Sequence, residues 1–144
     1  MLIRDVLRSK GHRVVTVTPD QTVLAAMRVL VQHQIGAVVV KAGEQVVGIL
    51  SERDVLRLGA QDPSLLSTSL VGEVMTRNPV VGLADDQLDY VMNVMTENRI
   101  RHLPVMEDAE LRGIISIGDV VNACRTHAEA ENRHLRDYIV GVVA

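Results

Sequence analysis

Two stretches of the sequence place a hydroxyl three residues before a carboxylate, where an apolar run meets a helical pattern: GILSERDVL at 48–56 and GIISIGDVV at 113–121. Ser51 with Asp54, and Ser116 with Asp119, have the spacing of a helix N-cap and a first-turn acid. There the serine oxygen satisfies a free N–H, and the carboxylate sits at the positive end of the helix dipole. The same atoms suit binding. A carboxylate accepts two hydrogen bonds from a cis-diol such as the 2′ and 3′ hydroxyls of a ribose. The free N–H groups at a helix start favour a nearby phosphate. An adenosine nucleotide presents both features, and capping and binding do not exclude each other.

Other chemistries fit poorly. His12, His33, His102, His127 and His134 lack zinc spacing, and the single cysteine, Cys124, supplies no cluster. No Ser–His–acid arrangement can be placed, and neither a Walker nor a Rossmann glycine loop is present. Asp54 and Asp119 belong to separate stretches rather than to one acid–base pair. A non-enzyme is expected.

The elements that must position these residues repeat. A shift of 65 holds without a gap from Val15–Arg57 to Val80–Asn122, and eleven of those 43 pairs are identical, including Gly48, Ile49, Ser51 and Asp54 with their partners. Chance would give roughly three at ordinary residue frequencies. The chain is therefore an internal duplication.

Each copy reads β-α-β-β-α. RVVTV at 13–17 is a short β-branched strand, and TPDQT offers Asp20 and Thr22 as helix caps. Val23, Met27, Leu30 and Val31 then recur at helical spacing, as do Leu88, Val91, Met92 and Met95 in the second copy. AVVV and VVGIL flank the hairpin loop KAGEQ; LPVM and LRGII flank EDAE. LGAQDPSLLSTSL at 58–70 reads as a polar, Ser-rich link, followed by a short helical turn in LVGEVMT. MLIRDVLRSKG reads as an amphipathic helix ended by Gly11, and THAEAENRHLRDYIVG at 126–141 as a terminal helix. The divisions are thus 1–61, 70–125 and a helical tail at 126–144. Neither copy buries enough apolar area alone, so the two must pack together, most simply about a pseudo-twofold axis. The fold class is α+β.

Composition narrows the setting. The chain of 144 residues is 47% hydrophobic, without Trp or Phe and with two Tyr, so the core must be aliphatic. A net charge of −3 with no long basic run argues against nucleic-acid binding. No apolar run reaches the ~18 residues of a membrane span. A lone cysteine and the lack of a signal-peptide pattern point to the cytoplasm.

The twofold order of motifs, PDQTVLAAM…IGAVVV…GILSERDVL and MTENRIRHLPV…GIISIGDVV, resembles a tandem pair of CBS domains, the Bateman module. The resemblance covers nearly the whole chain and is closest to small stand-alone CBS-pair proteins grouped as signal-transduction or IMP-dehydrogenase-related. No catalytic barrel accompanies the pattern, so the resemblance does not imply IMP dehydrogenase activity.

That resemblance implies adenosyl ligands, with the aspartate on the ribose, and pockets composed crosswise. Carried over, one pocket joins Ser116 and Asp119 with Lys10, Arg13, Val15, Ile35, Gly36 and Ala37. The other joins Ser51 and Asp54 with Met75, Asn78, Val80, Ile100, Arg101 and His102. Val15, Ile35 and Ile49, with their counterparts Val80, Ile100 and Ile114, are the candidate aliphatic walls of an adenine slot. Arg99, Arg101 and His102 stand where other CBS modules use basic residues for phosphate, and Arg53 adds a cation that Gly118 lacks. The Asp54 pocket therefore looks richer in phosphate ligands, with Lys10 and Arg13 partly compensating the other. These residues favour AMP, ADP, ATP or NAD(H) over S-adenosylmethionine.

The expected function is a regulatory module that senses such a ligand and modulates an unnamed partner protein; the alternative is a constitutive scaffold for interaction or oligomerisation. CBS pairs form disc-like dimers through their helices, which implies a homodimer built on the Val23, Met27, Leu30 and Leu88, Met92, Met95 stripes.

Overall fold

The computed structural model describes residues 1–11 and 14–139. In chain order the elements are α1 (Ile3–Lys10), β1 (Thr16–Val17), α2 (Val23–His33), β2 (Ala37–Ala42), β3 (Gln45–Ser51), α3 (Glu52–Gln61), α4 (Leu65–Thr68), α5 (Val71–Val74), β4 (Thr76–Arg77), β5 (Gly82–Leu83), α6 (Leu88–Glu97), β6 (His102–Glu107), β7 (Glu110–Ser116) and α7 (Ile117–Ile139). One sheet has the order β1-β2-β3-β4 and the other β5-β6-β7. The class is α+β, built as two β-α-β-β-α repeats.

The sequence shift of 65 becomes a shift in strand register. Ala37 pairs with Ser51 and Val40 with Gly48; His102 pairs with Ser116 and Val105 with Gly113. Both hairpins slip register at the same place, after Val40 and after Val105. The hairpin loops are tighter than KAGEQ and EDAE imply. Ala42 already pairs with Gln45 and Glu107 with Glu110, leaving two-residue turns. In the second turn Asp108 and Ala109 both have positive φ (52° and 63°), the type I′ geometry that matches strand twist.

Thr22 caps α2, its hydroxyl accepting from the Ala25 N–H at 3.1 Å. The buried face of α2 is Val23, Ala26 and Leu30, while Met27 is half-buried and Val31 is 78% exposed. The predicted stripe is therefore rotated: the small Ala26 belongs inside and Val31 outside. In α6 the buried residues are Leu88, Val91 and Met95, with Met92 packed partly against them.

The two repeats exchange their leading helices. Ile3, Val6 and Leu7 of α1 are buried with Leu88, Val91, Leu103 and Ile115, in the core of the second repeat. Val71 and Met75, at and just past α5, are buried with Val17, Ala26 and Leu50, in the core of the first. Burying an aliphatic side chain of this size is worth roughly 1.5–3 kcal/mol, so each helix ties the other repeat down. The docking bonds are equivalent: Ile3 N–H to Asp86 O and Val71 N–H to Gln21 O, at 3.0 and 2.8 Å. Leu7 thereby corresponds to Met75, a shift of 68, so three additional residues fall between Leu7 and Val15. Here α1 has eight residues where α5 has four, and its additional turn ends in Lys10.

The paired glycines Gly48 and Gly113 receive these exchanged side chains. A Cβ at Gly48 would run into Met75 Sδ and lie 2.9 Å from Thr76 O; at Gly113 it would lie 2.6 Å from Leu7 Cδ2.

Three segments depart from the expectation. The 58–70 link is largely helical: α3 runs to Gln61, and α4 packs on α2 and α3. The 126–141 helix is not separate, because α7 continues unbroken from Ile117 to Ile139. The first strand is only Thr16–Val17, and Arg13 lies outside the described residues. No helix among the described residues is long and apolar enough to cross a membrane.

Candidate functional site

Both serines cap helices, and both aspartates close the box. Ser51 N–H donates to Asp54 Oδ2 at 2.9 Å, the Ser51 hydroxyl donates to the same oxygen at 3.1 Å, and Asp54 N–H donates back to Ser51 Oγ at 3.4 Å. Ser116 N–H donates to Asp119 Oδ2 at 2.8 Å, and Asp119 N–H to Ser116 Oγ at 3.1 Å. One N–H at each helix start is used by the residue just before the neighbouring strand, β2 or β6: Glu52 N–H donates to Gly36 O (3.0 Å) and Ile117 N–H to Arg101 O (2.8 Å). The cap thus engages Oδ2 and fixes the carboxylate, and Oδ1 of Asp54 remains an acceptor for a further donor.

Asp54 opens onto a cleft of about 1000 Å³ built from both repeats. Ser51, Arg53 and Asp54 line it from the first repeat, together with Ile49 and Gly36. Asn78, Val80, Ile100, Arg101 and His102 line it from the second. The crosswise grouping around Asp54 is therefore brought together, except for Met75, which is buried against Gly48 in the first core. Arg57 and Arg99 also face the cleft and make four guanidinium groups with Arg53 and Arg101, against the carboxylates of Glu52 and Asp54. Arg99 was expected near the phosphate position from the sequence; Arg57 was missed. The signal for Arg57 was its position one helical turn after Arg53. Arg99 carries a left-handed φ of 54°, at the position matching Gln34 (φ 53°), which turns the chain from helix into strand.

The second grouping meets the first in part. Gly36 and Ser116 line the cleft just described, with Ile117 and Gly118. A Cβ at Gly36 would lie 3.0 Å from His102 Nε2, so residues of the two implied pockets touch, and among the described residues the space between them is continuous. Val15 and Ile35 pack against the first core and Ala37 is buried, because the strand ends that carry them face inward. Ile114 does not line the cleft, but its carbonyl is used, as follows.

Lys10 does not reach out toward a phosphate position. Its ammonium donates to Asp119 Oδ2 at 2.7 Å and to the Ile114 carbonyl at 2.8 Å. Burial works to raise the Asp119 carboxyl, but the Lys10 ammonium and the Ser116 N–H and hydroxyl outweigh it and hold the group below the usual aspartate value. Asp54 makes no ion pair among the described residues.

His102 is held below its ordinary pKa. Burial is the main cause; the Lys10 and Arg101 cations add to it, and Glu52 and Asp119 oppose it. The ring is therefore neutral near pH 7, with one N–H to donate.

A second depression, of about 490 Å³, lies between α2 and α3 and is apolar, lined by Met27, Leu30, Val31, Ile35, Val55 and Leu56. Val31 and Leu56 are 78% and 74% exposed. This face is an exposed apolar surface on the helices of the first repeat. Of the predicted stripes, Met27 and Leu30 line it, while Val23, Leu88 and Met95 are core. Among the described residues no three His, Cys, Asp or Glu side chains gather as a metal site.

Two helices with matching Ser–Asp capping boxes, set beside a cleft that both packed repeats line, are the arrangement of a CBS pair. Residues 3–60 and 71–126 each match the family model described as CBS domain, and the chain belongs to that family. It is 42% identical over 149 residues to the CBS domain-containing protein CBSX3, mitochondrial, of Arabidopsis thaliana, spanning 96% of this chain and 72% of that one. A CBS-domain containing protein from Agrobacterium tumefaciens has the same fold, with a TM-score of 0.81 at 43% identity over 85% of this chain and 98% of its own. CBSX2, solved in complex with AMP, superposes with a TM-score of 0.73 at 27% identity, over 88% of this chain and 98% of its own.

Proposed function

We propose that this chain is a non-catalytic, regulatory module that binds an adenosine nucleotide in the inter-repeat cleft. The observation that carries the reading is the meeting of Asp54, on one repeat, with Arg101 and His102, on the other, across one cleft of about 1000 Å³. Its size is at the upper end of ordinary ligand pockets, ~300–1,000 Å³. In this reading Asp54 Oδ1 accepts from the ribose hydroxyls. Ile49, Val80 and Ile100 flank the adenine, and the guanidinium groups hold phosphate bidentately. The AMP complex of CBSX2 supports an adenosine ligand, and the arginines favour a phosphorylated one, AMP, ADP, ATP or NAD(H), over S-adenosylmethionine, which has no phosphate.

Because the ligand touches both repeats, it favours the packing in which they close on it. That shift is what a partner protein would read, by differential affinity for two states. The exposed α2–α3 face, with Val31 and Leu56 at its rim, supports a homodimer through these helices. Residence in the cytoplasm belongs to the same reading; the name of the Arabidopsis relative places that protein in mitochondria.

Calorimetric titration with AMP, together with absorbance at the adenine wavelength after denaturing the purified protein, tests the reading. Saturable binding is the expected result. No heat with AMP, ADP, ATP or NAD(H), and no released adenine, would leave a scaffold in its place.

A further inference from the structure

The two carboxylates that a duplicated module should offer to ligand are not equally available. Asp119 already has a partner inside the chain. The Lys10 ammonium bonds both Asp119 Oδ2 and the Ile114 carbonyl, at 2.7 and 2.8 Å. It therefore brings to Asp119 a hydrogen-bond donor of the kind that a ribose hydroxyl would supply, and it adds a positive charge that such a hydroxyl lacks. On the first repeat the equivalent atoms, Asp54 Oδ2 and the Ile49 carbonyl, receive no ammonium among the described residues.

The difference has a covalent origin. Leu7 docks as Met75 does, but α1 then continues for a further turn that α5 lacks. That turn carries Lys10 to the start of α7. In the first repeat the chain instead enters β4 and the left-handed Asn78 (φ 47°), a neutral side chain that lines the open cleft. The hold does not depend on Lys10 alone finding Asp119: Leu7 is buried and Gly11 N–H caps the helix on Leu7 O at 2.7 Å, so the turn bearing Lys10 is fixed at its base.

We infer that Lys10 is a built-in occupant of the Asp119 site, so that each chain takes one adenosine nucleotide, at Asp54, and the second site binds only when the Lys10 ammonium is displaced. The inference rests on the nucleotide reading above and deepens it. It also runs against the simplest electrostatic expectation. Removing a cation ordinarily weakens binding of an anionic nucleotide, whereas here it exposes a site.

The test is AMP titration by calorimetry on the full chain, comparing wild type with Lys10→Ala, Lys10→Gln and Lys10→Ala combined with Asp119→Ala. Thermal melts run alongside show that each variant is folded, and Lys10→Gln keeps the side-chain length should the shorter variant misfold. The expected result is one AMP per chain in wild type and two in Lys10→Ala. The added site should be at least about tenfold tighter than any residual second event in wild type, the scale of one charge-assisted bond, and should be lost again with Asp119→Ala. Two sites in wild type, or no added site in either folded Lys10 variant, overturns the inference and leaves the nucleotide reading standing. No AMP bound by any of the proteins overturns both.

Discussion

Asp54 and Asp119 sit in capping boxes of the same design, on hairpins of matching register, yet one faces an open cleft and the other holds a lysine. The backbone of the hairpins and caps does not make this difference. It arises at a few side chains: Arg101 and His102 stand where the first repeat has Gly36 and Ala37, Arg53 stands opposite Gly118, and the additional turn of α1 delivers Lys10. A duplicated scaffold can therefore keep its geometry and still divide labour, because side-chain charge at the strand end and helix start is independent of the ladder that positions it.

The sharpest way to break the comparison is to remove each carboxylate in turn. Asp54→Ala should weaken AMP binding about ten- to a hundredfold, matching ~1.5–3 kcal/mol for a charge-assisted hydrogen bond, whereas Asp119→Ala should change it little. Calorimetry that finds equal losses would mean the two sites are used alike.

The glycines beneath the exchanged helices give a comparison in stability. Gly48→Ala forces its Cβ onto Met75 and toward the Thr76 carbonyl, a backbone atom that cannot turn away, and should cost ~1–3 kcal/mol in urea unfolding. Gly113→Ala meets only the end of Leu7, a side chain that can rotate, and should cost less.

Arg101→Ala separates phosphate from ribose recognition. The loss should be about tenfold for AMP and near zero for adenosine, and it should shrink at high salt, where the Debye length falls to ~3 Å at 1 M. Equal losses for both ligands would assign Arg101 to the base slot or the fold.

The smallest effect is a pH dependence. His102 has a lowered pKa in the folded chain, so the unfolded chain takes up its proton first. Its contribution to stability is thus present above the unfolded value, ~6.5, and is lost as pH falls toward the folded value. A phosphate beside the ring raises that folded value. AMP should therefore bind a few-fold more tightly at pH 6 than at pH 8, beyond the change seen in His102→Gln, which removes the histidine and keeps the phosphate's own titration.

Much of the fold was legible because strand registers obey a period of two: a gap-free shift from Val15 to Arg57 left the hairpins no other pairing. Ser51, Asp54, Ser116 and Asp119 were legible for a related reason, since a cap is a local motif. What escaped was non-local or rested on small residues. Periodicity marks an apolar face on α1 but not which core receives it, so the exchange with α5 was invisible. Ala26 is too small to weigh in a stripe, which rotated the reading of α2. Met75 read as a pocket residue by position, while Gly48 leaves a hole that draws it inward. The Lys10–Asp119 bond joins residues 109 apart and depends on one additional helical turn.

The exchanged helices also set an order of events on the ribosome. The first repeat is sealed as soon as residues 71–75 emerge, shortly after its own strands. The α1 helix is made first and docks last, since its apolar face waits for Leu88, Leu103 and Ile115. At about 5–20 residues per second, the interval between synthesis of Lys10 and of Asp119 is roughly 5–20 s. Through that interval the apolar face of Ile3, Val6 and Leu7 is without the core that covers it, and this helix is the part of the nascent chain most in need of a chaperone.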